Sequence, residues 1–242
     1  MIAVARLVLS SLLRGRRAVF LGLLCLLAGC ANLAAQAMST RFRSQEVWGL
    51  VAEDLVLTQV LAFVALLLGA SALGDLREDG TILYLASTPR RRVELVLGAW
   101  LAATVSTLVV LSPALAIQVV EGVVLSLPAR AIVAVLLAAC LTAAGYAALF
   151  VLASLVVRRA VVAGLAYLAF WELSIASIAK SGSYVSISAH GRNLVHRALP
   201  VDPPGVLSHA PMPTAGSVAV VTGACVVLLA LAGWRLGRTE LP

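Results

Sequence analysis

Charged residues make up only 12% of this 242-residue sequence, and this scarcity argues against a soluble globular fold. A soluble domain of this length needs more charge to cover its surface. Apolar residues make up 62% of the chain. They occur in long continuous runs, not in the alternating pattern of a transmembrane β-barrel. The sequence therefore predicts an all-α, polytopic integral membrane protein.

Motifs for catalysis and nucleotide binding are also missing from the sequence. It contains neither a GxxxxGK[ST] phosphate-binding loop nor the HExxH sequence of a metalloprotease. A serine protease buried in a helical bundle would need a histidine within a span. His190, His196 and His209 all fall outside the predicted spans. We therefore expect no catalytic residues, no cofactor and no enzymatic activity in this chain.

Metal-ligand spacing is absent as well. The four cysteines fall inside predicted spans, where thiols pack as small apolar groups: Cys25, Cys30, Cys140 and Cys225. The spacing of the histidines matches no ligand motif, so solvated loop histidines are the simpler interpretation. We predict no metal site. Because no basic face belongs to a soluble domain, we also predict no nucleic-acid partner.

Six apolar stretches are long enough to cross a bilayer. A helix of about 20 residues spans the ~30 Å hydrocarbon layer, and it satisfies its own backbone polar groups there. We place the spans at about residues 18–38, 55–74, 93–118, 131–157, 160–178 and 216–235. Ser112-Pro113 interrupts the third span and predicts a bend. The fourth is rich in alanine and glycine, which let helices approach closely, so we expect it inside the bundle.

The basic residues predict the orientation in the membrane. With six spans, both termini lie on one side, and that side carries twelve of the 18 lysine and arginine residues. The positive-inside rule then places both termini in the cytoplasm of a bacterial cell, with the spans in its inner membrane. The net charge of +7 is thereby explained by topology and suits an anionic lipid surface.

Residues 1–16 are predicted to form an amphipathic helix in the headgroup plane. The apolar face consists of Ile2, Ala5, Leu9, Leu12 and Leu13. A basic N-terminus that only sets the topology is the alternative. The arginines before Leu27-Ala28-Gly29-Cys30 also resemble a lipoprotein signal, but the apolar run continues to Met38, which is long enough for a full span.

Two features stand out on the outer half of the predicted bundle. Residues 179–215 form the longest non-spanning segment, and we predict a short interfacial helix there, followed by a proline-rich turn, that dips partway into the membrane. Glu172 is the one acidic residue placed well inside a span, where an ionisable group costs about 2.5–3.5 kcal/mol. It therefore marks a possible substrate pathway. Alternatively, the fifth span ends near Trp171, and Glu172 lies among the headgroups.

A charged segment separates the second and third predicted spans. It opens on Asp75, Glu78 and Asp79, turns at Gly80, and closes on Pro89 and three arginines. A short interfacial helix with charged ends is typical of a membrane protein that contacts a soluble partner.

The residues of this segment resemble those of ABC-2 type transporter permeases. The resemblance rests on Arg77-Glu78-Asp79-Gly80-Thr81, Thr88-Pro89 and Glu94-Leu95-Val96-Leu97-Gly98, and the span pattern extends it over nearly the whole chain as a single domain, 1–242. It implies a cytoplasmic coupling helix at 75–89 that docks on a separate ATP-binding subunit. The implied contacts are Asp75, Arg77, Glu78, Asp79, Gly80, Thr81, Leu83 and Tyr84. The implied return to the membrane is Pro89, Arg90, Arg91 and Arg92. Ala99 departs from the pattern, since many members have lysine there.

The resemblance implies a permease subunit of an ATP-driven exporter, paired with a second permease copy in the lipid bilayer. The partner copy would be identical or related. The aliphatic spans suit an amphipathic, lipid-like, peptide or drug-like cargo. Two alternatives stay open. One is the membrane subunit of a cofactor or cytochrome maturation system, and the other is a membrane scaffold that transports nothing.

Overall fold

The computed structural model describes residues 2–14, 16–38, 44–78, 92–175, 182–199 and 213–238, and every regular element in these ranges is helical. The predicted all-α class is confirmed. The α-helices are α1 (Ile2–Arg14), α2 (Arg16–Met38), α3 (Ser44–Leu50), α4 (Leu61–Glu78), α5 (Arg92–Val124), α6 (Ala129–Val156), α7 (Ala160–Tyr167), α8 (Ile187–Ala198) and α9 (Thr214–Arg238). Two π-helical segments, Val51–Val60 and Leu168–Ile175, continue α3 and α7, and Gly182–Tyr184 form a single 3₁₀ turn.

Among the described residues, four helices are long and apolar enough to cross a membrane, as expected for a multi-pass membrane protein. They cover Gln45–Gly74, Val93–Val124, Ala129–Val156 and Thr214–Leu236. These helices correspond to the predicted second, third, fourth and sixth spans. At the predicted first and fifth spans, the described apolar stretches are shorter, Ala18–Ala31 and Ala160–Glu172. The count of six spans therefore remains a prediction.

The helix of the second span begins at Ser44, about three turns before the predicted boundary near residue 55. Residues 44–54 lie between the first two predicted spans, yet they are helical, and Trp48 and Glu53 are fully buried. A reciprocal pair of hydrogen bonds joins this extension to α5. The Trp48 indole N–H donates to the Gln118 backbone carbonyl (2.9 Å). In return, the Gln118 side-chain amide donates to the Trp48 backbone carbonyl (3.0 Å). Tertiary partners therefore satisfy polar groups that the sequence pattern assigns to solvent.

We predict that Trp48→Phe destabilises the protein, because phenylalanine is smaller than the indole and cannot donate to the Gln118 backbone carbonyl. Loss of this one hydrogen bond costs about 0.5–1.5 kcal/mol. The measurement is the thermal unfolding midpoint of the purified protein in detergent. Trp234→Phe is the control, because Trp234 is 55% exposed and its replacement should change the midpoint little. Equal midpoints for the two variants would contradict the role of the indole donor.

The proline of the third span lies inside a continuous helix. α5 runs from Arg92 to Val124 with Pro113 in its interior. Proline has no N–H to donate to the carbonyl four residues earlier, which is that of Val109. The Ser112 hydroxyl donates to this carbonyl instead, at 2.7 Å. Ser112 thereby supplies the hydrogen bond that Pro113 removes, in a region where lipid offers no substitute.

The alanine-rich helix α6 is confirmed as an inner helix of the bundle. It contacts α4, α5, α8 and α9. Six of its alanines are fully buried: Ala131, Ala138, Ala139, Ala143, Ala147 and Ala148. A β-carbon at Gly69 of α4 would lie 2.9 Å from the Phe150 β-carbon, so the glycine is needed for this close approach.

The N-terminal helix α1 packs on α5 with a face slightly different from the predicted one. Its most buried residues are Val4, Val8 and Leu12, whereas Ala5, Leu9 and Leu13 are half-buried. The site of a β-carbon at Gly98 of α5 lies only 3.0 Å from the Val4 side chain. The buried face includes Val4 because this residue packs against α5 at Gly98. Its interfacial position remains a prediction.

Candidate functional site

The predicted partner-binding residues fall mostly outside the described residues. Asp75, Arg77 and Glu78 lie in the last turn of α4, so this part continues the helix of the second span. Arg92 is the first residue of α5. The others lie outside the described ranges: Asp79, Gly80, Thr81, Leu83, Tyr84, Pro89, Arg90 and Arg91. The coupling helix therefore stays a prediction.

Glu172 lies in the second π-helical segment, and its side chain is only 1% exposed. It is therefore not the solvated headgroup carboxylate of the alternative interpretation. Four donors surround it. The hydroxyls of Ser186 and Ser188 donate to Oε2 at 2.5 and 2.6 Å. The Tyr167 hydroxyl and the Ile187 backbone N–H donate to Oε1 at 3.1 and 3.2 Å. Hydrogen bonds to an ionised acceptor are among the strong ones, so these contacts stabilise the buried charge.

Three of these donors belong to the beginning of α8. Ser186 is its N-cap, and its hydroxyl oxygen accepts from the Ala189 N–H at 3.1 Å. The Ile187 N–H is one of the first-turn donors that the helix itself cannot satisfy. The Glu172 carboxylate thus lies at the positive end of the α8 dipole, where a negative charge is favourable. Glu172 acts as an anionic cap supplied by a different helix.

Arg192 lies one turn further along α8 and is fully buried. Its Nη1 donates to the Thr58 hydroxyl at 2.8 Å and to the Ser188 hydroxyl at 3.1 Å. Ser188 therefore accepts from Arg192 and donates to Glu172. The carboxylates of Asp54, Glu172 and Glu53 all act electrostatically on the guanidinium, which offsets part of the cost of its burial. We call Thr58, Glu172, Ser186, Ser188 and Arg192 the buried polar cluster.

α8 lies at the level of the middle of α6. A β-carbon at Gly145 of α6 would lie 2.9 Å from the Ile187 side chain. A β-carbon at Gly191 would overlap the Thr142 methyl group. Thr142 and Gly145 are near the centre of Ala129–Val156, so α8 packs against the middle of α6. On its remaining side, the Asn193 amide donates to Ser217 of α9 at 2.7 Å.

His190 also belongs to α8, and its burial overturns the expectation of a solvated loop histidine. It is 1% exposed, and its Nε2 lies 3.0 Å from the Tyr184 carbonyl oxygen. Within the part of the chain that the structure describes, no three His, Cys, Asp or Glu side chains are grouped so that they could hold a metal ion.

A groove of about 560 Å³ adjoins the buried polar cluster. α2 forms one wall, the Val51–Val60 segment and the start of α4 form a second, and α7 with the Leu168–Ile175 segment forms a third. Most of its lining is apolar: Leu24, Leu27, Ala28, Ala31, Leu55, Val60, Phe63, Leu165, Leu168 and Ala169. Thr58, Gln59 and Glu172 complete it and give it one polar region.

Sequence reasoning found Glu172 but missed its partners. Ser188 and Arg192 are four residues apart, which places them on one face of a helix. Arg192 entered the sequence analysis only as one of the outer basic residues. The available signal was the amphipathic pattern of Ser186, Ser188 and Arg192 in a segment expected to form a helix.

Comparison with known proteins gives a family for this fold and this cluster. A search of curated proteins finds no match. A family model described as ABC-2 family transporter protein matches residues 2–241, which include every described helix. The suspected resemblance is thereby confirmed. The chain belongs to the ABC-2 family of transporter proteins.

Proposed function

We propose that this chain is the permease subunit of an ATP-driven exporter in the bacterial cytoplasmic membrane. The family match over residues 2–241 carries the proposal, since the ABC-2 family comprises membrane components of ABC transporters, which have an ABC ATP-binding subunit as their general partner. A second permease copy, identical or related, completes the transport pathway. The four long apolar helices support a membrane-embedded role.

In the proposed topology, six spans place both termini in the cytoplasm. The first span consists of α2, which continues past the apolar stretch Ala18–Ala31. The fifth span consists of the helix that begins at Ala160, which continues past Glu172. The excess of arginine on the side of the termini supports this orientation. It places the end of α4 and the coupling segment 75–89 on the cytoplasmic side, within reach of an ATP-binding subunit.

The groove supports an amphipathic, lipid-like cargo. Its volume of about 560 Å³ is in the usual range for small-molecule sites, about 300–1,000 Å³. A hydrocarbon portion would lie against Leu24, Leu27, Phe63 and Leu165, and a polar portion would lie near Thr58 and Gln59. A strongly hydrophilic cargo would leave most of this apolar lining without complementary contacts.

The proposed mechanism couples the groove to the partner through α4. ATP binding closes the partner subunits, and their movement displaces the coupling segment that follows α4. α4 continues the Val51–Val60 segment, which lines the groove, so a tilt of α4 changes the groove itself. ATP thereby favours the conformation with lower cargo affinity, and hydrolysis restores the first state.

Charge reversal at the coupling segment tests the proposed partner. We expect the double substitution Glu78→Lys with Asp79→Lys to reduce recovery of the ATP-binding subunit, co-purified from membranes, by about tenfold or more. Like charges facing each other in a docking cleft cost several kcal/mol. Recovery is measured as ATP hydrolysis and as the quantity of nucleotide-binding subunit per permease.

Two variants serve as controls for this experiment. Glu78→Gln with Asp79→Asn removes the charge without reversing it, so a smaller loss is expected. Arg130→Glu reverses an exposed charge beside the start of α6, at the proposed outer side, and should leave recovery unchanged. Wild-type recovery by the double lysine variant would reject the docking assignment.

A further inference from the structure

Two walls of the groove are joined to the same helix behind them. Thr58 on the Val51–Val60 segment and Glu172 on the Leu168–Ile175 segment both line the groove. Thr58 accepts a hydrogen bond from Arg192, and Glu172 accepts one from Ser188. Arg192 also donates to Ser188, so one continuous chain of hydrogen bonds runs from wall to wall through α8.

A neighbouring face of α8, about 100° around the helix axis, is held in a different way. Gly145 and Gly191 bring α8 and α6 so close that neither position has room for a β-carbon without displacing Ile187 or Thr142. Tight apolar packing of this kind has few alternative arrangements. Toward the groove, α8 is held instead by side-chain hydrogen bonds to the two walls.

Both walls are π-helical where they meet α8. The Thr58 hydroxyl donates to the Glu53 carbonyl at 2.8 Å, five residues earlier, within the π-helical segment. π-helical turns are uncommon and often mark functional positions in helices. The wall residues that bind α8 thus lie in the two π-helical segments found in the described part of the chain.

We propose that Ser188 and Arg192 form a clasp that sets the separation of the two groove walls and couples occupancy of the groove to the position of α8. An amphipathic molecule that separates Thr58 from Glu172 must lengthen or break the clasp. Release of α8 then transmits occupancy to the outer side of the bundle. The identity of the molecule as cargo rests on the proposed function, whereas the clasp itself rests on the hydrogen bonds.

Cysteine labelling at Gln59 tests the clasp. Gln59 lines the groove, and its side chain is exposed. The protein carries Gln59→Cys in a background without the four native cysteines, is reconstituted in phospholipid nanodiscs, and reacts with a water-soluble maleimide. We expect Ser188→Ala and Arg192→Lys to increase the labelling rate at least about threefold, because the walls separate more often. Ser106→Ala is the matched control, since it removes a buried serine hydroxyl of α5 that does not reach the groove.

Thr58→Val provides a second test of the clasp in case the α8 variants do not fold. It removes the clasp from the side of the wall, leaves α8 unchanged, and should also accelerate labelling. Size-exclusion profiles and unfolding midpoints show which variants are folded. Labelling rates within twofold of wild type for the folded clasp variants would overturn the proposal.

A second measurement separates coupling from simple structural support. Lysophosphatidylcholine is the amphipathic probe, and glycerophosphocholine, which lacks the acyl chain, is its control. In the wild-type chain, the lysolipid should slow labelling of Gln59→Cys and accelerate hydrogen exchange of the α8 amides. In Ser188→Ala, labelling should still slow, but α8 should exchange quickly with or without the lipid. If the lysolipid does not change the hydrogen-exchange rate of the α8 amides in the wild-type chain, the coupling is rejected.

The clasp and the proposed function can fail separately. Neither measurement needs ATP or the ATP-binding subunit. If the clasp variants respond as expected but no ATP-binding subunit co-purifies with the wild-type chain, the clasp stands and the transport assignment falls. The reverse pattern removes the clasp and leaves the permease assignment intact.

Discussion

Replacing Gly191 with leucine is expected to displace α8 from the bundle and to cause one of the largest losses of stability of any single substitution in this chain. A β-carbon at this position would already overlap the Thr142 methyl group, with the Ala138 carbonyl oxygen 3.9 Å away on the same helix. Overpacking alone costs about 1–3 kcal/mol. Displacement of α8 also separates the buried Glu172 carboxylate from its serine donors, and each buried polar group left without a partner costs about 1–3 kcal/mol.

The unfolding midpoint in detergent and the yield of monodisperse protein measure this effect. A loss of about 3 kcal/mol corresponds to a decrease of roughly 10 °C for a chain of this length. Gly223→Leu on α9 is the control, because nothing lies within 4 Å of its β-carbon position. Equal midpoints for Gly191→Leu and Gly223→Leu would contradict the packing of α8 on α6.

A compensating substitution makes the steric argument specific. Gly191→Ala is expected to lower the midpoint less than leucine does, and Thr142→Ser should restore part of the loss. Serine removes the methyl group that obstructs the new β-carbon but keeps the hydroxyl, which donates to the Ala138 carbonyl at 2.6 Å. Additive effects of the two substitutions would show that Thr142 is not the obstacle.

Hydropathy predicts most of the fold because lipid imposes a simple requirement on the chain. A continuous apolar run must be helical in the membrane, since only a helix satisfies the backbone within one segment. The helices Val93–Val124, Ala129–Val156 and Thr214–Leu236 follow directly from such runs. The early start of the second span does not, because Glu53 and Asp54 make its first turns resemble a loop. Trp48 and Gln118, which hold that extension, are separated by 70 residues, and no local pattern connects them.

The candidate site was only half predictable for a similar reason. A lone carboxylate in an apolar run is conspicuous, so Glu172 could be found from the sequence. Its partners lie in a segment whose polar composition predicts an outer location. Two glycines allow that segment to enter the bundle, and glycine spacing alone does not identify which helices will meet. Arg192 illustrates the consequence, because a residue counted as an outer topological charge is fully buried. Without Arg192, five basic residues instead of six lie on the side opposite the termini, which strengthens the positive-inside bias.

Glu172→Ala is expected to destabilise the protein about as strongly as Gly191→Leu, because each buried donor left without its acceptor costs about 1–3 kcal/mol. Alanine leaves the hydroxyls of Ser186, Ser188 and Tyr167 and the Ile187 N–H without their acceptor. It also removes one of the carboxylates that compensate the buried Arg192 charge. Both losses fall on the first two turns of α8, so hydrogen exchange of the α8 amides should rise well before the bundle unfolds.

Glu172→Gln separates the charge from the shape. Glutamine keeps one carbonyl acceptor but turns an N–H₂ group toward donors. The serine hydroxyls can rotate to accept from it, whereas the Ile187 N–H cannot. We expect an intermediate loss of about 1–3 kcal/mol. In the complex with the ATP-binding subunit, stimulation of ATP hydrolysis by lysophosphatidylcholine should decrease in the order wild type, glutamine, alanine, at equal amounts of assembled permease. Wild-type unfolding midpoints and wild-type ATPase stimulation in both variants would contradict this role. The Glu172 carboxylate would then contribute neither to the buried polar cluster nor to the transport pathway.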